Sequence, residues 1–177
     1  NMNQFISYLK SENNQSKSQS LLINGQQTSG ELFRLSFPFI KEMRKVIEQK
    51  VINYKSRFKE SNEGFIQKWP EKYDLRAWAV VMNKGGFLRP HNHTYGWLSG
   101  SFYLHVPKLK NDPNEGSIAF TYKGPHYSER DVDFKLSVKQ VETRDLCLFP
   151  SSLYHYTIPF DSNEDRICFV FDLIPLS

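Results

Sequence analysis

Hydrophobic residues along this chain change their spacing after the first third of the sequence. Within residues 36–58 they recur three or four positions apart, which predicts an amphipathic helix with Pro38 in its first turn. Farther on, short segments rich in aromatic and β-branched residues alternate with stretches that carry Gly, Pro, Asn and Asp. These segments predict seven strands: 75–82, 100–106, 116–122, 132–138, 145–149, 155–159 and 166–173.

Many short strands at this spacing indicate a mainly β fold, a sandwich or barrel of jelly-roll type with the helix on one outer face. The first 30 residues are polar and rich in Asn, Gln and Ser, and we expect residues 1–30 to form a loosely ordered lead-in. Residues 31–177 then form a single domain, which is long enough to bury a sizeable core.

Composition favours a β-rich protein without membrane or nucleic-acid signals. Aromatic residues make up 15% of the 177 residues, which favours a β-rich core. The chain shows neither a run of about 18 apolar residues nor the apolar core of a signal peptide, so we expect a cytoplasmic protein with no membrane partner. The formal charge of +4 comes from scattered lysines without interleaved stacking aromatics, so no nucleic-acid partner is indicated. Cys147 and Cys168 lie in apolar runs and are expected to be free buried thiols.

Three histidines form a candidate metal site. His91 and His93 are two positions apart, so an extended segment points both rings to one side. His155 lies far downstream in a separate predicted strand and would complete a three-ligand site. Such a site keeps coordination positions open for a cosubstrate and oxygen, as in mononuclear non-haem iron centres.

Arg166 begins the last predicted strand, on the same side as Cys168 and among apolar neighbours. A guanidinium that faces inward there needs a carboxylate, because an unpaired buried charge is unfavourable. The distal carboxylate of 2-oxoglutarate would meet that need through a bidentate contact. The alternative is a surface pairing with Asp165 or Glu164.

These residues are part of a longer pattern that resembles the 2-oxoglutarate-Fe(II) oxygenases, from about Thr28 to the end of the chain. The resemblance implies a cupin-like double-stranded β-helix, Fe(II) bound by the histidines, and 2-oxoglutarate as cosubstrate. It also implies oxidative decarboxylation to succinate coupled to hydroxylation of a second substrate. The pattern consists of Ala77-Trp78-Ala79, Gly85-Gly86, His91-x-His93, Trp97-Leu98-Ser99-Gly100, Tyr103-Leu104, Pro107, Gly116, Leu148-Phe149-Pro150-Ser151, His155 and Arg166-Ile167.

The resemblance also suggests roles for single residues. In prolyl-hydroxylase-like members, a tyrosine after the first ligand pair and an arginine after the distal histidine hold the far carboxylate of the cosubstrate, and Tyr103 and Arg166 match these places. The usual ligand pair is His-x-Asp or His-x-Glu, whereas this chain has His93 at the second place. Two interpretations follow: His93 is the third ligand, or it is turned aside.

Other positions remain open between two interpretations. His105 shares a strand face with Tyr103 and either contacts substrate or is a hydrogen-bonded wall residue. Trp97 and Tyr95 either form an aromatic lip that touches substrate or pack under a loop. His126 lies in a turn and is expected to be exposed.

The sequence leaves the substrate open between a small molecule and a peptide, because selectivity resides in loops such as 108–115 and 123–131. Two other functions are compatible with the pattern. One is a three-histidine cupin-type dioxygenase that does not use 2-oxoglutarate and gives Arg166 no role. The other is a non-catalytic metal-binding module.

Overall fold

The computed structural model describes residues 1–11, 16–17, 19–108, 112–121 and 136–176. Helices are concentrated in the first part of the chain and strands in the rest. The elements are α1 (Met2–Leu9), β1 (Ser16–Lys17), β2 (Leu22–Thr28), a 3-10 turn (Leu32–Arg34), α2 (Pro38–Arg57), α3 (Gly64–Gln67), β3 (Tyr73–Leu88), β4 (Leu98–His105), β5 (Ile118–Thr121), β6 (Ser137–Lys139), β7 (Leu146–Pro150), β8 (Tyr154–Thr157) and β9 (Arg166–Pro175).

The strands form two antiparallel sheets. The larger sheet has the order β1-β2-β3-β9-β4-β7, and the smaller sheet has the order β6-β5-β8. Helix side chains and the outer face of the larger sheet share one hydrophobic core. The predicted mainly β, jelly-roll architecture with a flanking helix is confirmed.

Alternation along β3 and β9 decides which side chains face the helices. Odd-numbered residues of both strands, such as Ala79 and Phe169, are buried in the core shared with the helices. Even-numbered residues, such as Val80, Cys168 and Val170, belong to a second cluster on the opposite face. This period of two therefore places the even-numbered polar residues of β9 on the side away from the helices.

Helix α2 agrees with its prediction. It begins with Pro38, whose fixed φ suits the first turn of a helix, and it ends at Arg57. One stripe of apolar side chains is buried against the larger sheet: Phe39, Ile40, Met43, Ile47 and Val51. The packing of this stripe anchors the helix to the sheet.

The prediction of a loosely ordered lead-in is wrong for two segments of residues 1–30. Phe5 and Leu9 of α1 are fully buried, and Phe5 packs on Phe37, Phe39 and Phe169. Strand β2 pairs with β3 along the larger sheet. Polar composition concealed both elements, because α1 buries only one narrow stripe and β2 has several exposed positions near the sheet edge. The division of the chain at residue 30 stays a prediction.

The predicted strands fall within or overlap observed ones, with two parts that the structure does not test. Residue 122 of the predicted strand 116–122 lies outside the described residues. Residues 132–135 of the predicted strand 132–138 lie outside the described residues, and β6 covers Ser137–Lys139. Cys147 and Cys168 are both free, as expected; Cys168 is buried, whereas Cys147 is only half-buried. No helix in the described ranges is both long and apolar enough to span a membrane.

We expect Phe5→Ala to lower the free energy of unfolding by about 3 to 5 kcal/mol, because it empties a fully buried aromatic site. Gln4→Ala, on the exposed side of the same helix, is the matched control and should change stability by less than about 0.5 kcal/mol. Urea denaturation measures both values. Equal stabilities for the two variants would show that α1 is not docked on the core.

Candidate metal centre

Backbone pairing brings the three histidines together. His91 follows β3 and forms a bridge with His155 of β8, with reciprocal N–H to carbonyl bonds of 3.0 and 2.9 Å. The His93 amide donates to the Ser151 carbonyl at 2.9 Å, which fixes the second histidine beside the loop that leads into β8. Residues far apart in sequence are thereby held by hydrogen bonds rather than by flexible side-chain contacts.

The three side chains converge on one point. One ring nitrogen of each of His91, His93 and His155 lies within 4.8 Å of the others. The ring centroids are 5.3 Å apart for His91 and His93, 4.4 Å for His91 and His155, and 5.0 Å for His93 and His155. The structure thus groups His93 with the other two candidate ligands.

The hydrogen bonds among the described residues engage the same nitrogen, Nδ1, on each ring. Nδ1 of His91 lies 2.7 Å from the Arg89 carbonyl, and Nδ1 of His155 lies 3.0 Å from the Leu153 carbonyl. Nδ1 of His93 lies 2.7 Å from Oδ1 of Asp172. Because these oxygens accept, each Nδ1 carries the proton, and each Nε2 keeps a lone pair for a metal.

Burial keeps two of the three imidazoles, those of His91 and His155, neutral. It lowers the pKa of His91, and it lowers the pKa of His155 to about 3, with the neighbouring histidines adding to the shift of His155. Both rings are therefore uncharged at neutral pH, which is the state that binds metal. Three imidazole nitrogens suit iron as well as other divalent transition metals, so the donor set fits the predicted Fe(II).

The histidines line a cavity of about 660 Å³. Arg166 and Tyr103 line the same cavity. Arg166 comes from β9 and Tyr103 from β4, and the two strands are neighbours in the larger sheet. The cavity therefore contains both predicted parts of the site, the metal ligands and the candidate anion-binding residues.

The Arg166 guanidinium is buried without an anionic partner. It is 3% exposed, its Nε donates to the Gly116 carbonyl at 2.7 Å, and its Nη1 lies 3.0 Å from Sγ of Cys168. Burial raises the pKa of the Cys168 thiol despite the nearby guanidinium, so the sulfur does not balance the charge. Among the described residues, no carboxylate forms an ion pair with Arg166.

The alternative surface pairing of Arg166 is not observed. The Asp165 carboxylate instead contacts Nζ of Lys10 at 2.7 Å, and the Glu164 carboxylate lies 3.2 Å from Nε2 of His105. A buried cation without a counterion is unfavourable, because water no longer screens it. The unpaired charge of Arg166 therefore favours binding of an anion in the cavity.

Tyr103 adds a second unsatisfied group. Its hydroxyl is buried and makes no hydrogen bond within the described part of the chain. The Arg166 guanidinium carbon lies 5.0 Å from the centre of its ring. Burial raises the pKa of this hydroxyl far above its usual range, so it remains a hydrogen-bond donor. A buried cation without a described counterion and a hydroxyl without a described acceptor therefore lie side by side.

His105 does not join this group. Its Nδ1 donates to the Asp165 carbonyl at 2.7 Å, and it is not among the residues that line the cavity. The register of β4 against β9 shifts between Tyr103 and His105, so simple alternation fails at this end of the strand. The structure places His105 beside Glu164 and Asp165.

Trp97 also lies away from the cavity. It stacks on Phe65 with ring centroids 5.6 Å apart and donates from Nε1 to the Phe65 carbonyl, which places it on the helix side of the larger sheet. Tyr95, by contrast, is 85% exposed and lines the cavity. His126 lies outside the described residues.

Sequence reasoning missed the residues around His93. The Trp78 ring lies 5.5 Å from the His93 ring and lines the cavity. Asp172, Ser99 and Ser151 form a hydrogen-bonded group on the Nδ1 side of His93. Asp172 could have been found from the sequence, because it is the single acidic residue in the apolar strand β9. It also lies on the same face of the strand as Arg166.

Sequence comparison identifies a family for this part of the chain. The family model described as "Putative 2OG-Fe(II) oxygenase" matches residues 76–172, which is more than half of the chain. All five residues predicted to bind the metal or the cosubstrate lie within the match: His91, His93, Tyr103, His155 and Arg166. No curated protein matches the chain in sequence.

Solved structures of similar shape share the fold. A prolyl-4-hydroxylase from Pseudomonas putida superposes with a TM-score of 0.66 at 11% identity, over 99% of this chain and 86% of that one. HygX from Streptomyces hygroscopicus, solved with nickel and 2-oxoglutarate bound, gives a TM-score of 0.63 at 16% identity, over 98% of this chain and 78% of its own. The predicted double-stranded β-helix is confirmed.

We expect His91→Ala and His155→Ala each to weaken binding of Mn(II) by more than about 100-fold, because loss of a direct ligand exceeds the 10- to 100-fold effect of outer partners. His105→Ala, a histidine outside the cavity, is the matched control and should bind Mn(II) like the unaltered protein. Isothermal titration calorimetry without oxygen measures all three. Full affinity in both His91→Ala and His155→Ala would locate the metal elsewhere.

Proposed function

Because this chain belongs to the 2OG-Fe(II) oxygenase family, we propose that it couples decarboxylation of 2-oxoglutarate to succinate with hydroxylation of an organic substrate. The family makes it an oxidoreductase with Fe(II) and 2-oxoglutarate as cofactors. One observation supports the finer assignment. An unpaired buried arginine and an unsatisfied tyrosine hydroxyl line the same cavity as three convergent imidazoles.

In this proposal His91, His93 and His155 hold Fe(II) through Nε2. Three protein ligands on a six-coordinate metal leave three positions for small molecules. Bound Fe(II) and 2-oxoglutarate together supply the oxidising chemistry with molecular oxygen. The hydrogen bonds on Nδ1 of each ring keep the three lone pairs aimed at one point, so the site requires little rearrangement on binding.

Arg166 and Tyr103 would hold the far carboxylate of 2-oxoglutarate. This cosubstrate is a dianion with a carboxylate at each end, so one end binds the metal while the other meets a fixed cation. Among the described residues the guanidinium has no anionic partner and the hydroxyl has no acceptor, and a carboxylate would accept from both. The same contact neutralises the buried charge of Arg166.

The rest of the cavity orients substrate and limits water. Val80, Met82 and Val170 line it with apolar surface between the polar groups. Lys17 and Gln27, from the edge of the larger sheet, contribute to its lining, as does the exposed Tyr95. We propose that a small molecule or a peptide side chain enters past these residues. No side chain is needed as a general base, because the chemistry belongs to the cofactors.

A three-histidine dioxygenase that does not use 2-oxoglutarate is the second candidate. The all-imidazole donor set favours it, because such a set lacks the carboxylate ligand of the usual iron oxygenase centre. It gives no reason for the buried charge of Arg166 or for the free hydroxyl of Tyr103. The two candidates therefore differ in whether 2-oxoglutarate binds at Arg166.

We expect Arg166→Ala to weaken 2-oxoglutarate binding by about 2 to 4 kcal/mol, or roughly 30- to 1000-fold, while Mn(II) affinity is retained. The loss follows from removal of the charge-assisted contacts to the far carboxylate. Calorimetry on the Mn(II)-loaded protein measures it. Arg76→Ala is the matched control, because Arg76 lines the cavity but is largely exposed. Unchanged 2-oxoglutarate affinity in Arg166→Ala would favour the three-histidine dioxygenase.

Tyr103→Phe should change binding and stability in opposite directions. Loss of the hydroxyl weakens 2-oxoglutarate binding by about 1.5 to 3 kcal/mol, or roughly 10- to 150-fold. The free energy of unfolding without cosubstrate should equal or exceed that of the unaltered protein, because the hydroxyl has no partner to lose. Calorimetry and urea denaturation measure the two effects, with Tyr54→Phe as a control on the helix side. Lower stability with unchanged 2-oxoglutarate affinity would assign the hydroxyl a purely structural role.

A further inference from the structure

A buried carboxylate lies directly behind one of the three candidate ligands. Asp172 is 7% exposed, and its Oδ1 accepts from Nδ1 of His93 at 2.7 Å. The Ser99 hydroxyl donates to the same oxygen at 2.6 Å and lies 2.7 Å from the Ser151 hydroxyl. Among the described residues, neither lysine nor arginine forms an ion pair with Asp172. His93 is therefore the group through which this buried charge can be compensated.

The backbone closes tightly over this carboxylate. A Cβ added at Gly96 would lie 2.5 Å from Oγ of Ser151 and 3.4 Å from Cγ of Asp172. A side chain at this position would overlap the Ser151 hydroxyl, so the absence of one lets the chain cover the hydrogen-bonded group. Exclusion of water strengthens the interaction between the carboxylate and the imidazole, because the local dielectric is lower than in solvent.

The other two histidines have a different kind of partner. Nδ1 of His91 and Nδ1 of His155 donate to backbone carbonyls, which carry no net charge. His93 alone among the three donates to a carboxylate. A hydrogen bond to a carboxylate makes the opposite ring nitrogen a stronger donor to metal than one to a carbonyl does. Nε2 of His93 is therefore expected to be a stronger metal donor than Nε2 of His91 or His155.

The carboxylate partner of His93 would also change the net charge around the metal. Three neutral imidazoles bring no negative charge to a divalent metal, whereas the usual oxygenase centre combines two histidines with one carboxylate. Asp172 supplies one negative charge on the far side of the His93 ring. The group His93–Asp172 then has the same net charge as a carboxylate ligand, while the atom that faces the metal remains Nε2.

We propose that Asp172 is a positioning residue of the metal centre. It holds the His93 ring with Nε2 toward the metal, and it supplies through that ring the negative charge that a carboxylate ligand would contribute. The inference rests on the proposed function, because it takes the three histidines as the metal ligands. It adds an anionic group that acts on the metal through His93 and is not itself one of the three candidate ligands.

Asp172→Asn separates charge from orientation, because the amide oxygen still accepts from His93 while the negative charge is lost. We expect this variant to bind Mn(II) about 10- to 100-fold more weakly than the unaltered protein, as found for outer partners of metal-bound histidines. Asp161→Asn is the matched control, since it removes one surface carboxylate that pairs with Lys84, and it should leave Mn(II) affinity unchanged. Isothermal titration calorimetry without oxygen measures both.

A spectroscopic measurement on the unaltered protein does not depend on how the variants fold. With Zn(II) bound, the Nδ1 proton of His93 should resonate farther downfield than those of His91 and His155, because a carboxylate forms the strongest of the three hydrogen bonds. Proton–nitrogen correlation spectra resolve the three rings. A His93 proton at or upfield of the other two would overturn the inference.

The remaining outcomes separate this inference from the proposed function. If Asp172→Asn retains full Mn(II) affinity while His91→Ala loses it, the proposed function stands and the charge contribution of Asp172 is rejected. Weak binding in Asp172→Ala together with full affinity in Asp172→Asn would reduce the role of Asp172 to orientation and overturn the charge argument. Absence of Mn(II) binding to the unaltered protein would overturn both proposals.

Discussion

Strand β9 lies between β3 and β4, and its two faces meet different surroundings. Its odd-numbered residues, such as Phe169 and Phe171, bury apolar surface against the helices. Its even-numbered residues, from Arg166 to Asp172, face the cavity. Burial of the first face fixes the register of the strand, since a slip by one residue would exchange the two faces. The charged groups of the site therefore owe their positions to hydrophobic packing on the opposite side.

Arg166 and Asp172 are six positions apart on β9, which is about 20 Å along a strand. The first is a buried cation without a counterion, and the second is a buried anion that contacts a candidate metal ligand. A metal cation and a dicarboxylate placed between them would give each buried charge a neighbour of opposite sign. Under the proposed function, the bound cofactors would offset the unfavourable burial of these two charges. This arrangement accounts for the unsatisfied hydroxyl of Tyr103 in the same terms.

Local periodicity was sufficient to predict much of the fold. Helix α2 and strands such as β4 and β9 carry their spacing in the sequence, so their positions follow from burial of one face. The pairing of His91 with His93 followed from the same rule, and the third histidine and Arg166 were recognised by chemical type. Helix α1 was missed because its stability depends on Phe37, Phe39 and Phe169, which are distant in sequence.

The contacts within the site that sequence patterns left open or missed have a comparable origin. His105 was expected to share a face with Tyr103, but a register shift between them breaks the alternation, and no local signal marks it. Asp172 is 79 positions from the histidine that it contacts, so only the folded chain shows the pair. Trp97 packs toward the helices because Phe65 of α3 provides a stacking partner. Sequence patterns thus predict which residues share a face, whereas the contacts between distant segments depend on the assembled sheets.

Formation of succinate from 2-oxoglutarate by the Fe(II)-loaded protein tests the central claim most directly. The reaction can be followed by chromatography together with oxygen consumption, with or without an added substrate, because uncoupled turnover also releases succinate. We expect succinate from the unaltered protein and none above background when His91 is replaced by Ala. A protein that binds Fe(II) and 2-oxoglutarate yet forms no succinate in the presence of oxygen would contradict the account.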